Sequence, residues 1–146
     1  MKQAEKRHFA DLSIVCALLN IKEESKLIND LETFGFLFEA MVERDLKIYA
    51  DSFEAKCYHY QDYQNYQNME IDCVIELDDG NWCCFEIKLG ANQIENAAKN
   101  LVKIKEQIKS ENGKVPSVLC VICGMSNAVY KRTDGVYVVP ITALKQ

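Results

Sequence analysis

Three side chains in the middle of the chain have the types and spacing to act on a phosphodiester: Asp72, Glu86 and Lys88. They lie in EIDCVIELDDGNWCCFEIKLG, which alternates apolar and polar residues on either side of Asp78-Asp79-Gly80. That is the pattern of two half-buried strands joined by a tight turn. Residues opposite one another in an antiparallel pair share a face. A two-residue Asp79-Gly80 turn would set Asp72 against Ile87 and cross the faces, so the hydrophobic pattern rejects it. A three-residue loop, Asp78-Asp79-Gly80, pairs Leu77 with Asn81 and uses Gly80 at the left-handed position of a bulged turn. Asp72 then stands opposite Glu86, with Lys88 two residues along on the same face. Ile71, Cys73, Ile75 and Leu77 are expected to share the other face.

Cross-strand partners have Cβ atoms about 4.5–5.5 Å apart, so two carboxylates there repel unless positive charge sits between them. A hard divalent cation is one solution, because Mg²⁺ takes one or two carboxylates plus water and phosphate oxygens. An ammonium beside it steadies an attacking water or offsets phosphate charge. Asp72, Glu86 and Lys88 are thus a candidate metal-assisted phosphodiesterase site, with Mg²⁺ or Mn²⁺ held by Asp72 and Glu86. The same pattern also fits a solvated hairpin face whose three charges neutralise one another, and so short a motif has a high chance-match rate.

The elements around this hairpin are readable from periodicity. Asp11 caps a short helix carrying Ile14, Val15, Leu18 and Leu19, with Asn20 as its stop. A second helical pattern begins at Ser25 and runs into a longer one through Phe38, Met41, Val42 and Leu46, with a bend expected at Gly35. Ala55–Tyr60 reads as a strand, followed by the polar stretch QDYQNYQN. Ile94, Ala97, Ala98, Leu101, Ile104 and Ile108 form an amphipathic helix. SVLCVIC is a continuous apolar run, which marks a strand covered on both faces. Two short strands follow, around Val129–Lys131 and Val136–Val139. The order α-α-α-β-β-β-α-β-β-β implies an α/β fold, a mixed sheet flanked by helices.

The 146 residues suit one domain, long enough for a single core without staples. Hydrophobic residues at 49% and charged residues at 27% argue against intrinsic disorder. A net charge of −5 argues against a binder that coats phosphates non-specifically, while leaving room for a local basic groove. Seven cysteines, an odd number lying mostly in apolar runs, and a polar start fit a reduced, cytoplasmic chain. No G-x-x-x-x-G-K-[ST] occurs, so the chain carries no phosphate-cradling ATPase loop.

Ile71-Asp72 and FEIKLG resemble the PD-(D/E)XK nuclease superfamily, with a spacing close to that of archaeal Holliday junction resolvases. Ile71 stands where the motif's name has proline. Over a wider span, KRHFADLSI, LINDLETFGFLFEAMVERDLKIYA, EIDCVIELDDGNWCCFEIKLG, AAKNLVKIKEQI and DGVYVVPITALK resemble one known domain. It is the restriction-endonuclease-like C-terminal domain of bacterial and archaeal AAA-type ATPases. The likeness covers about Lys6 to Gln146. It implies a restriction-endonuclease-like fold over 1–146, with helices on both faces of the sheet. It also implies Asp72 and Glu86 as ligands of Mg²⁺ or Mn²⁺ and Lys88 as the group that positions water. An acid from the preceding helix joins such sites. Glu39 and Glu43 share a helix face there, and Glu39 is the better match. The family's ATPase and winged-helix segments have no counterpart here. The expectation is therefore an excised domain, a truncated product or a stand-alone relative.

Other residues carry weaker signals. Lys99 and Lys103 lie one turn apart on the helix that approaches the substrate backbone in nuclease relatives; a solvated helix face is the plainer reading. Gln93 could orient a water or simply start that helix. Tyr58, Tyr60, Tyr63 and Tyr66 could stack on unpaired bases or cover a sheet edge. Cys120 and Cys123 point to opposite faces of a strand, which suits core thiols rather than a zinc pair. His8 and His59 read as isolated structural residues. Two functions compete: DNA hydrolysis at Asp72, Glu86 and Lys88, and a non-cleaving DNA-docking, sensor or oligomerisation role beside an ATPase chain. A retired fragment with no function of its own is a third reading. DNA, an AAA-type ATPase and a second copy of the chain are the expected partners.

Overall fold

The structure, a computed structural model, describes residues 11–62 and 69–144. Three helices come first: α1 (Leu12–Leu18), α2 (Glu24–Asn29) and α3 (Leu31–Ser52). Then follow β1 (Lys56–Asp62), β2 (Met69–Glu76), β3 (Trp82–Lys88), α4 (Ile94–Ser110), β4 (Val118–Cys123), β5 (Tyr130–Lys131) and β6 (Tyr137–Pro140). This is the order expected from periodicity. Tyr63, Tyr66 and His8 lie outside the described residues.

The six strands form one mixed sheet in the order β1-β2-β3-β4-β6-β5. The β1–β2, β2–β3 and β5–β6 pairs are antiparallel, while β3–β4 and β4–β6 are parallel. The parallel β3–β4 pair needs a crossover, and α4 supplies it. Central β4 alternates between two cores. Leu119, Val121 and Cys123 pack under α4 with Ala98, Leu101 and Ile104. Cys120 and Ile122 pack under α3 with Phe38, Val42 and Leu46. Helices therefore cover both faces, and the continuous apolar run of β4 reflects that double burial. Cys120 and Cys123 fall in opposite cores, as the strand period requires.

The helical entry differs from the sequence expectation in one respect. The chain breaks at Asp30, whose carboxylate accepts the Thr33 N–H at 3.1 Å and caps α3. Gly35 lies within α3, five residues past that cap, and the helix is not broken there. Asp11 caps α1 as expected, accepting from Ser13 N–H at 2.8 Å.

The hairpin register follows the three-residue loop. Cys73 pairs with Phe85 and Ile75 with Cys83, and Leu77 N–H reaches the Asn81 carbonyl at 2.8 Å. Gly80 takes φ +72°, a left-handed value that costs glycine little.

Leu101 is fully buried and Leu18 is 72% exposed. Leu101→Ala is expected to cost about 2–5 kcal/mol, and Leu18→Ala less than about 0.5 kcal/mol. Urea unfolding checks this; equal losses for the two would contradict the assignment of the core.

Candidate functional site

The site is built on an irregularity in β2. Tyr58 pairs with Val74, but Tyr60 pairs with Ile71, so Asp72 and Cys73 together oppose the single residue His59. This is a β-bulge, a feature that re-aims side chains. The one-residue slip sends Ile71 into the α4 core while Cys73 stays in the α3 core. The expectation that Ile71 and Cys73 share a face is corrected accordingly. On its other side β2 stays in register with β3 only as far as the Cys73–Phe85 pair. At the next position, Ile87 N–H donates to Asp72 Oδ2 at 2.7 Å. The carboxylate thus replaces the backbone acceptor a continued ladder would offer, and the buried amide stays satisfied.

Three of the residues singled out from the sequence meet here. Lys88 Nζ lies 3.1 Å from Asp72 Oδ2 and 2.8 Å from Glu86 Oε2. Asp72 is 6% exposed and Glu86 4%, while the Lys88 side chain is 25% exposed. Burial, then the Asp72 charge, push the Glu86 carboxyl up to about 7, against the pull of Lys88 and Asn100. Burial opposes the Lys88 ammonium, but Asp72 and Glu86 outweigh it and hold its pKa above the usual lysine value. One cation is bound between two carboxylates, one of which is poised near neutrality.

Asn100, which the sequence did not single out, and His59, expected to be an isolated structural residue, complete the surroundings. Asn100 Nδ2, from α4, donates to Glu86 Oε1 at 2.6 Å and to the Glu70 carbonyl at 3.1 Å. It borders the apolar stripe Ala97–Leu101–Ile104, and that position is the one signal that could have pointed to it. His59, opposite the bulge, is not isolated. Its Nδ1 lies 3.3 Å from the Asp72 carbonyl and its Nε2 3.2 Å from Glu70 Oε1.

A family model described as "Domain of unknown function (DUF4143)" matches residues 34–144, most of the chain. The chain belongs to the DUF4143 family. Neither the curated proteins nor the solved structures gave a match. The matched span includes α3 from Phe34 onward and every strand of the sheet, so the bulge and its three charged residues lie inside the DUF4143 domain.

The remaining candidates are less central in this DUF4143 fold. Glu39 is half-buried on α3, the helix that covers the sheet face opposite α4. Its neighbour one turn on, Glu43, is the more buried acid, at 8% exposure, and its charge acts on the Cys57 and Cys73 thiols. Lys99 and Lys103 are exposed on α4, and Lys99 pairs with Glu95 at 3.3 Å. Asn100, between them, reaches the Glu86 carboxylate. Gln93 Oε1 accepts the Gly90 N–H at 3.1 Å, which is the simple role of starting a helix. Tyr60 packs beside the α4 core.

The donor set fits a hard cation. Asp72 and Glu86 offer carboxylate oxygens, and Ile87 N–H and Lys88 Nζ both fall on Asp72 Oδ2, so Oδ1 takes neither of these bonds. Among the described residues no three His, Cys, Asp or Glu side chains gather to hold a metal. Two protein carboxylates suit Mg²⁺, which keeps several waters, rather than an ion needing an all-protein cage. No described helix is long and apolar enough to cross a membrane.

Removing Lys88 leaves two buried carboxylates facing each other. Lys88→Met is expected to destabilise the fold by on the order of 3 kcal/mol above pH 7. The penalty should shrink in acid, where a carboxyl takes up a proton, and urea unfolding at both pH values reads it. A raised carboxyl pKa means that the folded state binds more protons than the unfolded chain between pH 4.5 and about 7. Stability should therefore fall as pH rises through that window, and Glu86→Gln should flatten the fall. An identical slope in the variant would contradict the assignment.

Proposed function

We propose that this DUF4143 domain is a restriction-endonuclease-like, PD-(D/E)XK-type domain that hydrolyses DNA phosphodiesters with Mg²⁺ or Mn²⁺. The observation that carries this reading is Lys88 Nζ lying within 3.1 Å of both Asp72 and Glu86, at the bulge and strand divergence of β2. A buried ion trio of this kind is a poor way to stabilise a sheet, since desolvation offsets much of the attraction. The perturbed titration of buried Glu86 is a mark of functional sites.

Asp72 and Glu86 would hold the ion, which supplies charge for the phosphate and a more acidic bound water. Ile87 N–H keeps Asp72 Oδ2 in place, and Asn100 keeps Glu86 Oε1 in place. Glu86, once ionised, would be the second oxygen ligand. Lys88 Nζ, now shared by both carboxylates, is then available to hold the attacking water or a phosphate oxygen.

A second reading is a non-cleaving docking, sensor or oligomerisation module beside an AAA-type ATPase chain. The exposed apolar side chains of α1 to α3, among them Ile14, Leu18, Ile28, Leu31 and Phe36, favour it. The net charge of −5 and the Glu95 partner of Lys99 favour it too.

Cleavage of branched, single-stranded and duplex DNA with Mg²⁺ or Mn²⁺ distinguishes the two. Activity should vanish in Asp72→Ala and Lys88→Ala and fall about 10–100-fold in Asn100→Ala. Equal activity in the wild type and the Asp72 and Lys88 variants, or an inactive wild type, would contradict hydrolysis by this site.

A further inference from the structure

The bulge that aims Asp72 also brings two thiols together. Cys57 Sγ on β1 and Cys73 Sγ on β2 lie 3.2 Å apart, both as free cysteines. They are not directly paired in the ladder, because Cys57 is opposite Ile75. Cys73 is the residue after Asp72 and forms half of the bulge. Cys73 is buried, whereas Cys57 is half-buried on the strand at the sheet edge. We propose that Cys57 and Cys73 are a redox pair that hydrogen peroxide closes into a disulfide, and that closure switches off the Asp72–Glu86–Lys88 site.

The chemistry balances with peroxide as the oxidant. Cys57 Sγ, deprotonated, attacks one peroxide oxygen; the O–O bond breaks and hydroxide leaves, giving a sulfenic acid. Cys73 Sγ then attacks the Cys57 sulfur, the S–O bond breaks, and water leaves with the Cys73 proton. Two thiols and one peroxide become one disulfide and two waters. Cys57 suits the first step because it is the more accessible of the two. The hydrogen bond from Cys73 lowers its pKa most, against the cost of burial and the charge of Glu43. Buried Cys84 and Cys120 are pushed up to about 12 by burial and are poorly placed to compete.

Closure must shorten the Sγ–Sγ separation from 3.2 Å to about 2.05 Å. That draws β2 towards β1 at the residue next to Asp72. A displacement of about 1 Å at a reacting group can cost on the order of 100-fold in rate. This switching half of the inference rests on Asp72 being a cation ligand; the disulfide half does not.

The test treats the reduced full chain with hydrogen peroxide, blocks remaining thiols, and maps the peptides by mass spectrometry. The expected result is a Cys57–Cys73 linked peptide, the loss of two thiols, and recovery with dithiothreitol. Mn²⁺ titration of the same samples should show binding weakened about 10–100-fold by oxidation in the wild type and unchanged in Cys57→Ser. Oxidation spread over other cysteines, with Cys57 and Cys73 unlinked, would overturn the pair. A linked peptide with Mn²⁺ binding unchanged would overturn the switch. Reduced protein that forms the linkage yet binds no Mn²⁺ would instead count against the cation site.

Discussion

The bond from Ile87 N–H to Asp72 Oδ2 is the constraint on which the site depends. A sheet that carried β2 and β3 in register past Cys73 would satisfy that amide with backbone and send Asp72 elsewhere. The bulge opposite His59 breaks the ladder, and the carboxylate takes over the role of the missing rung. An acid held this way is fixed by the backbone of the strand that carries Glu86 and Lys88. The three groups are thus positioned by rigid sheet elements, not by a loop, which is what close placement of reactive groups requires.

Electrostatics follow from that placement. Two carboxylates packed under α4 repel each other and lose hydration, which raises the affinity of Glu86 for a proton. Lys88 answers both charges, and Asn100 supplies a neutral donor to Glu86 from the helix side. A proton and the Lys88 ammonium relieve the same repulsion, and the divalent cation proposed for this site would compete with both for one small volume. Such competition would link fold stability, pH and cation binding through two side chains.

Much of this was legible in the sequence because it is local. Alternation on both sides of Asp78-Asp79-Gly80 admits one register that keeps the faces apart, and the observed pairs from Glu76–Trp82 to Cys73–Phe85 follow it. The expected Asp72–Glu86 pair is not in the ladder, which ends one residue earlier. The β4 run was legible for the same reason, since burial on both faces removes polar residues altogether. The bulge was not legible. It arises from pairing between β1 and β2 across a polar connection, so Ile71 changes core without any change in its own alternation. Asn100 was missed, and His59 was read as isolated, because each is defined by neighbours distant in the chain. The break at Asp30 was available in principle, because an aspartate three residues before Thr33 is a capping signal that outweighs a glycine tolerated inside a helix.

The claim that Asp72 and Glu86 form a cation site is open to direct observation. A crystal of the protein soaked in Mn²⁺ at pH 8, measured at the manganese absorption edge, locates the ion by its anomalous signal. A peak bridging Asp72 and Glu86, with Lys88 Nζ moved away from at least one of them, is the predicted result. A map without a peak between the two carboxylates, with Lys88 still joining both, would contradict the claim.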